Sequence, residues 1–206
     1  VNIAFYTKIR HLIIACILIV SGTPAVAQDT LAMYSIAPLF EAFDNDSNFI
    51  SLQSLLNKGP VVVTFYRGQW CPHCNRYMRN LQDSLDYVVK LGASIVAITP
   101  ESNDEINKTI SKSGASFKII YDKGHKIMDA YDVTFKISNL NNFMHLVAGI
   151  NINEASGNKD NVLPVPATYI IAPDGHIIGR HFDIDYTKRM PVATILKILQ
   201  DNSALK

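Results

Sequence analysis

Hydrophobic residues come in short dense runs along this chain, and the segments between them carry helical periodicity. "VVVTFY" (61–66) is continuous in β-branched and aromatic residues, the pattern of a strand buried on both faces. "SIVAIT" (94–99) and "FKIIY" (117–121) read the same way. Between the first two, Tyr77, Leu81, Leu85 and Val88 share one stripe and predict a helix from Pro72 to Lys90, stopped by Gly92. Ser102-Asn103-Asp104-Glu105 has the form of a capping box and opens a helix with Ile106 and Ile110 inward, ended by Gly114. "DKGHKIMDAYDV" predicts a short helix beginning near Asp122, and "FISLQSLLNKGP" a short strand and turn. "ATYIIA", a Pro-Asp-Gly turn and "HIIGRHF" make a β-hairpin. A last amphipathic helix follows, with Pro191 near its first turn and Val192, Ile195, Leu196 and Leu199 inward. Residues 132–163 are Asn-rich with short apolar patches and are read as an insertion.

Strands alternating with helices imply an α/β fold, a sheet flanked by helices on both faces. A chain of 206 residues that is 48% hydrophobic suits one domain with a full core. Residues 1–27 stand apart: Lys8 and Arg10, the apolar run "LIIACILIV", then small residues ending Ala25-Val26-Ala27. This is the form of a secretory signal peptide, leaving 28–206 as the domain. The run is short against the ~20 residues a membrane span needs, so no stable membrane insertion is expected after cleavage. Without Lys8 and Arg10 the chain keeps 17 of its 19 basic residues against 18 acidic ones. That balance argues against nucleic-acid capture. An exported, periplasmic or secreted location also permits disulfides.

Cysteine is scarce, which makes "WCPHC" (70–74) informative. Cys71 falls where a central strand gives way to a helix, and ligands of open α/β sheets gather at the carboxyl ends of strands. Unpaired N–H groups at a helix start stabilise a thiolate, and Pro72 is preset for the first helical turn. Cys74 lies one turn deeper, within disulfide reach. In this reading Cys71 attacks a disulfide and Cys74 resolves the intermediate, while His73 favours the thiolate. Arg67, Arg76 and Arg79 add positive potential. The competing chemistries are a peroxide-reducing thiol, half of a zinc site and an inert pair. Zinc needs four ligands, and His125, His145, His176 and His181 form no ligand-spaced pair, so no metal is expected.

"CPHC" behind Trp70, with "VPATYII" further on, resembles the thioredoxin superfamily. The resemblance implies a thioredoxin-like fold with a central mixed sheet, and a cis-proline loop at Val165-Pro166 facing the dithiol. "VVVTFYRGQWCPHCNRYMRNLQ", "GASIVAITPES", "FKIIYDKGHKIMDAYDV" and "VPATYIIAPDGHII" are similar to the peroxiredoxin-like branch of the alkyl hydroperoxide reductase/thiol-specific antioxidant family. On that family's pattern Cys74 matches the peroxide-attacking cysteine. The family's threonine becomes Cys71, and its thiolate-supporting arginine becomes Pro166.

The resemblance implies an antioxidant or redox-homeostatic oxidoreductase whose only redox group is a Cys71–Cys74 disulfide, with no further cofactor. Trp70, Val165 and Arg67 would contact protein or small thiol and disulfide substrates, or hydroperoxides. A thioredoxin-like or membrane redox partner would recycle the pair. A thiol peroxidase using Cys74, with Cys71 resolving, is the second reading; a non-catalytic binding module is the third.

Overall fold

The computed structural model describes residues 31–137, 151–156 and 161–203. The elements run β1 (Glu41–Phe43), β2 (Phe49–Ser51), α1 (Leu52–Leu56), β3 (Val61–Phe65), α2 (Pro72–Asp83), α3 (Leu85–Lys90), β4 (Ser94–Thr99) and α4 (Asn103–Ser113). They continue with β5 (Lys118–Tyr121), α5 (Lys126–Ala130), β6 (Thr134–Lys136), α6 (Ile152–Ser156), β7 (Val162–Pro164), β8 (Ala167–Ile171), β9 (Ile177–Phe182) and α7 (Val192–Ser203).

The central sheet has the order β5-β4-β3-β8-β9. β3, β4 and β5 are parallel, whereas β8 runs antiparallel to β3 and β9 antiparallel to β8. Every residue of β3 and β8 is buried, because helices cover both faces of the sheet. Val61, Val63 and Phe65 point into one apolar cluster with Leu52 and Leu56 of α1 and Met128 of α5. Val62 points the other way, against Tyr77, Met78 and Leu81 of α2, Val88 of α3, Ile106 of α4 and Ile195 and Leu199 of α7. The fold is thioredoxin-like α/β, with a mixed central sheet as the sequence implies.

Several local expectations change. The stripe over 72–90 forms two helices, because Ser84 leaves helical geometry (φ −107°, ψ 3°) while its carbonyl accepts from Tyr87 and Val88 N–H. "SLQSLL" is not a turn: Ser51 caps the five-residue helix α1. Ser102 precedes α4 without a side-chain cap, and Glu105 instead accepts from Gln69 Nε2 and Lys108 Nζ. The helix expected near Asp122 begins at Lys126, with the Asp122 carboxylate accepting from Ile127 and Met128 N–H.

Within 132–163, β6 pairs antiparallel with β7. Ile137, Ile152 and Leu163 there form a small cluster against Trp70, which brings the segment to the edge of the cysteine turn. The leader read over 1–27 and His145 lie outside the described residues. No helix among the described residues is long and apolar enough to cross a membrane.

Candidate active site

β3 ends at Phe65, and the next residues turn at the carboxyl end of the sheet before α2 begins. Cys71 is the N-cap of α2 with extended backbone (φ −89°, ψ 110°), and Pro72 opens the helix. Its amide donates to Gly68 O at 3.1 Å and its carbonyl accepts from Asn75 N–H at 3.1 Å, which closes the turn. Gly68 (φ +153°) is required here. A Cβ on it would fall 2.2 Å from Glu101 Oε1 and 2.6 Å from Trp70 Nε1. One turn past Cys74, Tyr77 Oη hydrogen-bonds Thr168 Oγ1 at 3.2 Å, and Thr168 meets Thr64 Oγ1 at 3.0 Å. These bonds tie α2 to β3 and β8 beneath the cysteines.

Both cysteines are free thiols and nearly inaccessible, Cys71 2% and Cys74 1% exposed. The sequence reading puts the attacking sulfur at Cys71; in the structure a guanidinium donor meets Cys74. Burial opposes the Cys74 anion. The Cys71 thiol, the Arg189 guanidinium and the Arg67 and Gly68 N–H groups outweigh it and bring Cys74 down to about 6. Cys71 is pushed up, first because it gives its hydrogen bond to Cys74, then by burial. Two adjacent buried sulfurs favour a single negative charge, and the donors converge on the deeper one. The N–H of Cys74 still points at the Cys71 sulfur, so the helix start favours a charge there as well.

Arg189 comes from the segment between β9 and α7. Its Nη2 donates to Cys74 Sγ at 3.3 Å, and its Nη1 donates to Lys188 O at 2.7 Å and to Tyr186 O. Tyr186, from the same segment, covers the site: Arg67 Cζ lies 4.5 Å from its ring and 4.9 Å from the Trp70 ring. The His73 ring packs edge-on against Tyr186 at 5.9 Å. After burial and the Cys71–Cys74 contact itself, the influences on the sulfurs come from Arg189, Arg67 and backbone N–H groups.

Arg67, Trp70, Cys71, His73 and Cys74 therefore gather as expected. Val165 and Pro166 are buried at the same end of the sheet, as the Phe65↔Ala167 register requires. The Val165–Pro166 peptide is trans, so the cis-proline expectation is not met: no cis peptide occurs among the described residues. The Val165 N–H is spent on Val133 O at 2.7 Å.

Behind the turn lies Glu101, 1% exposed, whose Oε2 accepts from Gln69 N–H at 2.8 Å. Burial pushes its carboxyl up to about 8. Sequence reading missed Glu101, Tyr186 and Arg189. An acid directly after a central strand is a readable signal for Glu101. Arg189 follows Cys74 by more than a hundred residues, and no local pattern marks it. No three His, Cys, Asp or Glu side chains gather into a metal-holding group among the described residues.

Residues 34–180 match the model of the AhpC/TSA family. The thiol–disulfide oxidoreductase ResA of Bacillus subtilis is 24% identical over 152 residues, 73% of this chain and 68% of that protein. Peroxiredoxin Bcp of Escherichia coli is 24% identical over 98 residues, 48% of this chain and 62% of that protein. Among solved structures, peroxidoxin BcpB of Mycobacterium tuberculosis superposes with a TM-score of 0.64 at 17% identity, covering 83% of this chain and 97% of that one. The thioredoxin domain of a Bacteroides vulgatus thiol-disulfide oxidoreductase gives a TM-score of 0.56 at 17% identity, covering 82% of this chain and 99% of that one. The chain thus belongs to the AhpC/TSA family and is an oxidoreductase of thioredoxin-like fold, from a family that works on thiols or peroxides.

Proposed function

We propose that the protein is an exported thiol–disulfide oxidoreductase whose Cys71–Cys74 pair cycles between dithiol and disulfide. The observation that carries this reading is the placement of two buried free thiols in one helical turn, Cys71 as the N-cap of α2 and Cys74 a turn further in. The resting charge sits on Cys74. When a disulfide approaches the helix end, the proton passes from Cys71 to Cys74, and the Cys71 sulfur bonds to one substrate sulfur while the other leaves as a thiolate. Cys74 then gives that proton to the departed thiolate and attacks Cys71, which expels the second thiolate and closes the protein disulfide. His73 and Trp70 border the path, Arg67 offsets the charge, and Val165-Pro166 shape the far wall. Export rests on the leader pattern of 1–27, and a thioredoxin-like or membrane redox partner would recycle the pair. Insulin reduction and dithiol oxidation test the reading. Cys71→Ser is expected to abolish both and Cys74→Ser to accumulate mixed disulfides; full activity in Cys71→Ser would overturn it.

A second reading has its own support. The guanidinium and N–H groups around Cys74 suit a thiolate that attacks a hydroperoxide. Cys74 would take one oxygen as sulfenic acid while water or an alcohol leaves, and Cys71 would then displace water to form the same disulfide. The arginine lost at Pro166 is no obstacle, because Arg189 supplies a guanidinium from another loop. Hydroperoxide consumption by a protein retaining only Cys74 separates the two readings.

A further inference from the structure

A groove of about 470 Å³ runs beside the dithiol between α2 and α4, lined by Pro72, Asn75, Arg76, Arg79 and Lys112. Its α2 residues share one helix face, and Pro72 joins that face directly to Cys71. Three of its five lining residues are cations. None of the three takes part in an ion pair among the described residues. The acid that joins this network, Glu105, is taken up by Lys108 and by Gln69 Nε2.

Two of the cations are held in place. Arg79 Nη2 donates to Lys112 O, and Lys112 Nζ donates to Gln69 O at 3.2 Å and to Gln69 Oε1. Arg76 is exposed and keeps its fork open. Asn75 braces the floor between them, its Nδ2 donating to the same Gln69 O at 2.6 Å.

We propose that this groove is the subsite for the carboxylate-bearing half of a small peptide thiol or disulfide whose sulfur reacts at Cys71. Guanidinium forks fit carboxylates, and Arg76 and Arg79 carry them beside Cys71. The volume suits a small molecule rather than a protein segment. The redox step rests on the exchange reading above: one peptide disulfide becomes two peptide thiols as Cys71 and Cys74 join. The binding does not rest on it.

The test therefore has two arms. In the first, S-methylglutathione, which cannot exchange, is titrated into the protein by calorimetry. Arg76→Glu is expected to weaken binding about tenfold, and added salt to weaken wild-type binding while hardly changing the variant. In the second, reduced protein meets glutathione disulfide or the uncharged hydroxyethyl disulfide. The ratio of the two rates is expected to fall about tenfold in Arg76→Glu and less in Arg79→Gln. Arg76 is exposed, so its variant tests the groove even if Arg79→Gln fails to fold. S-methylglutathione that does not bind, or binds Arg76→Glu as well as wild type, overturns the subsite even if hydroxyethyl disulfide is reduced. Arg76-dependent binding with neither disulfide reduced upholds the subsite and removes the exchange reading instead.

Discussion

Arg189 Nη2 donates to Cys74 Sγ across 3.3 Å, from a loop that local sequence reading gave no reason to connect with the cysteines. With the Cys71 thiol, the contact favours a negative charge on Cys74. Arg189→Gln is expected to raise the Cys74 pKa from about 6 by a unit or more, read as thiolate absorbance against pH. Because the thiolate stabilises the dithiol form, the same variant should also hold its disulfide more firmly. Its potential should fall by about 30 mV for each tenfold loss of that stabilisation. An unchanged titration would assign Arg189 a packing role only.

The two cysteines should titrate differently. Cys74→Ser is expected to remove the ionisation near 6, whereas Cys71→Ala should retain an acidic thiol, moved upward by loss of its donor. The sign carries through to stability. The folded Cys74 pKa lies below the ~8.5 of an unfolded thiol, so reduced protein gains stability as pH rises from about 6 to 8.5. It loses that gain as pH falls through 6. Denaturant melts of reduced wild type and Cys74→Ser across this window measure it.

Glu101 should act in the opposite sense. Its folded value of about 8 exceeds the ordinary carboxylate value near 4.3, so the folded state binds more protons between those limits and loses stability as pH rises. Glu101→Gln is expected to flatten this fall by a few kcal/mol at alkaline pH. The disulfide form isolates the effect, because Cys74 no longer titrates there. Parallel pH–stability curves for variant and wild type would contradict the assignment.

Tyr186 covers the turn by stacking on Arg67 and meeting His73. Tyr186→Ala is expected to cost about 1 kcal/mol of stability. It should also speed the reaction of the dithiol with a bulky aromatic disulfide more than with a small alkylating agent. Equal acceleration of both reagents would show that this ring does not control access.

The strands at 61–66, 94–99 and 117–121 were legible because a strand buried on both faces keeps a nearly continuous apolar run. The break at Ser84 was not legible. Tyr77, Leu81, Leu85 and Val88 keep one stripe across it, and only carbonyl geometry records the interruption. α1 spans five residues, too few for a helical period to show. At the site, scarcity and spacing singled out Cys71 and Cys74, and "VPATYII" marked the strand that pairs with β3. The order of their acidity was hidden, since it depends on donors reaching Cys74 from Arg189, Arg67 and Gly68. Helix-start reasoning favoured Cys71 because it counts only the local N–H groups.

A redox titration of the wild-type protein, with free thiols counted by mass at each potential, tests the central claim most directly. The account predicts one two-electron couple joining Cys71 to Cys74, with a midpoint above the roughly −300 mV typical of structural disulfides. A pair that stays in a single state across the range, or exchanges one electron pair only below that limit, would contradict it.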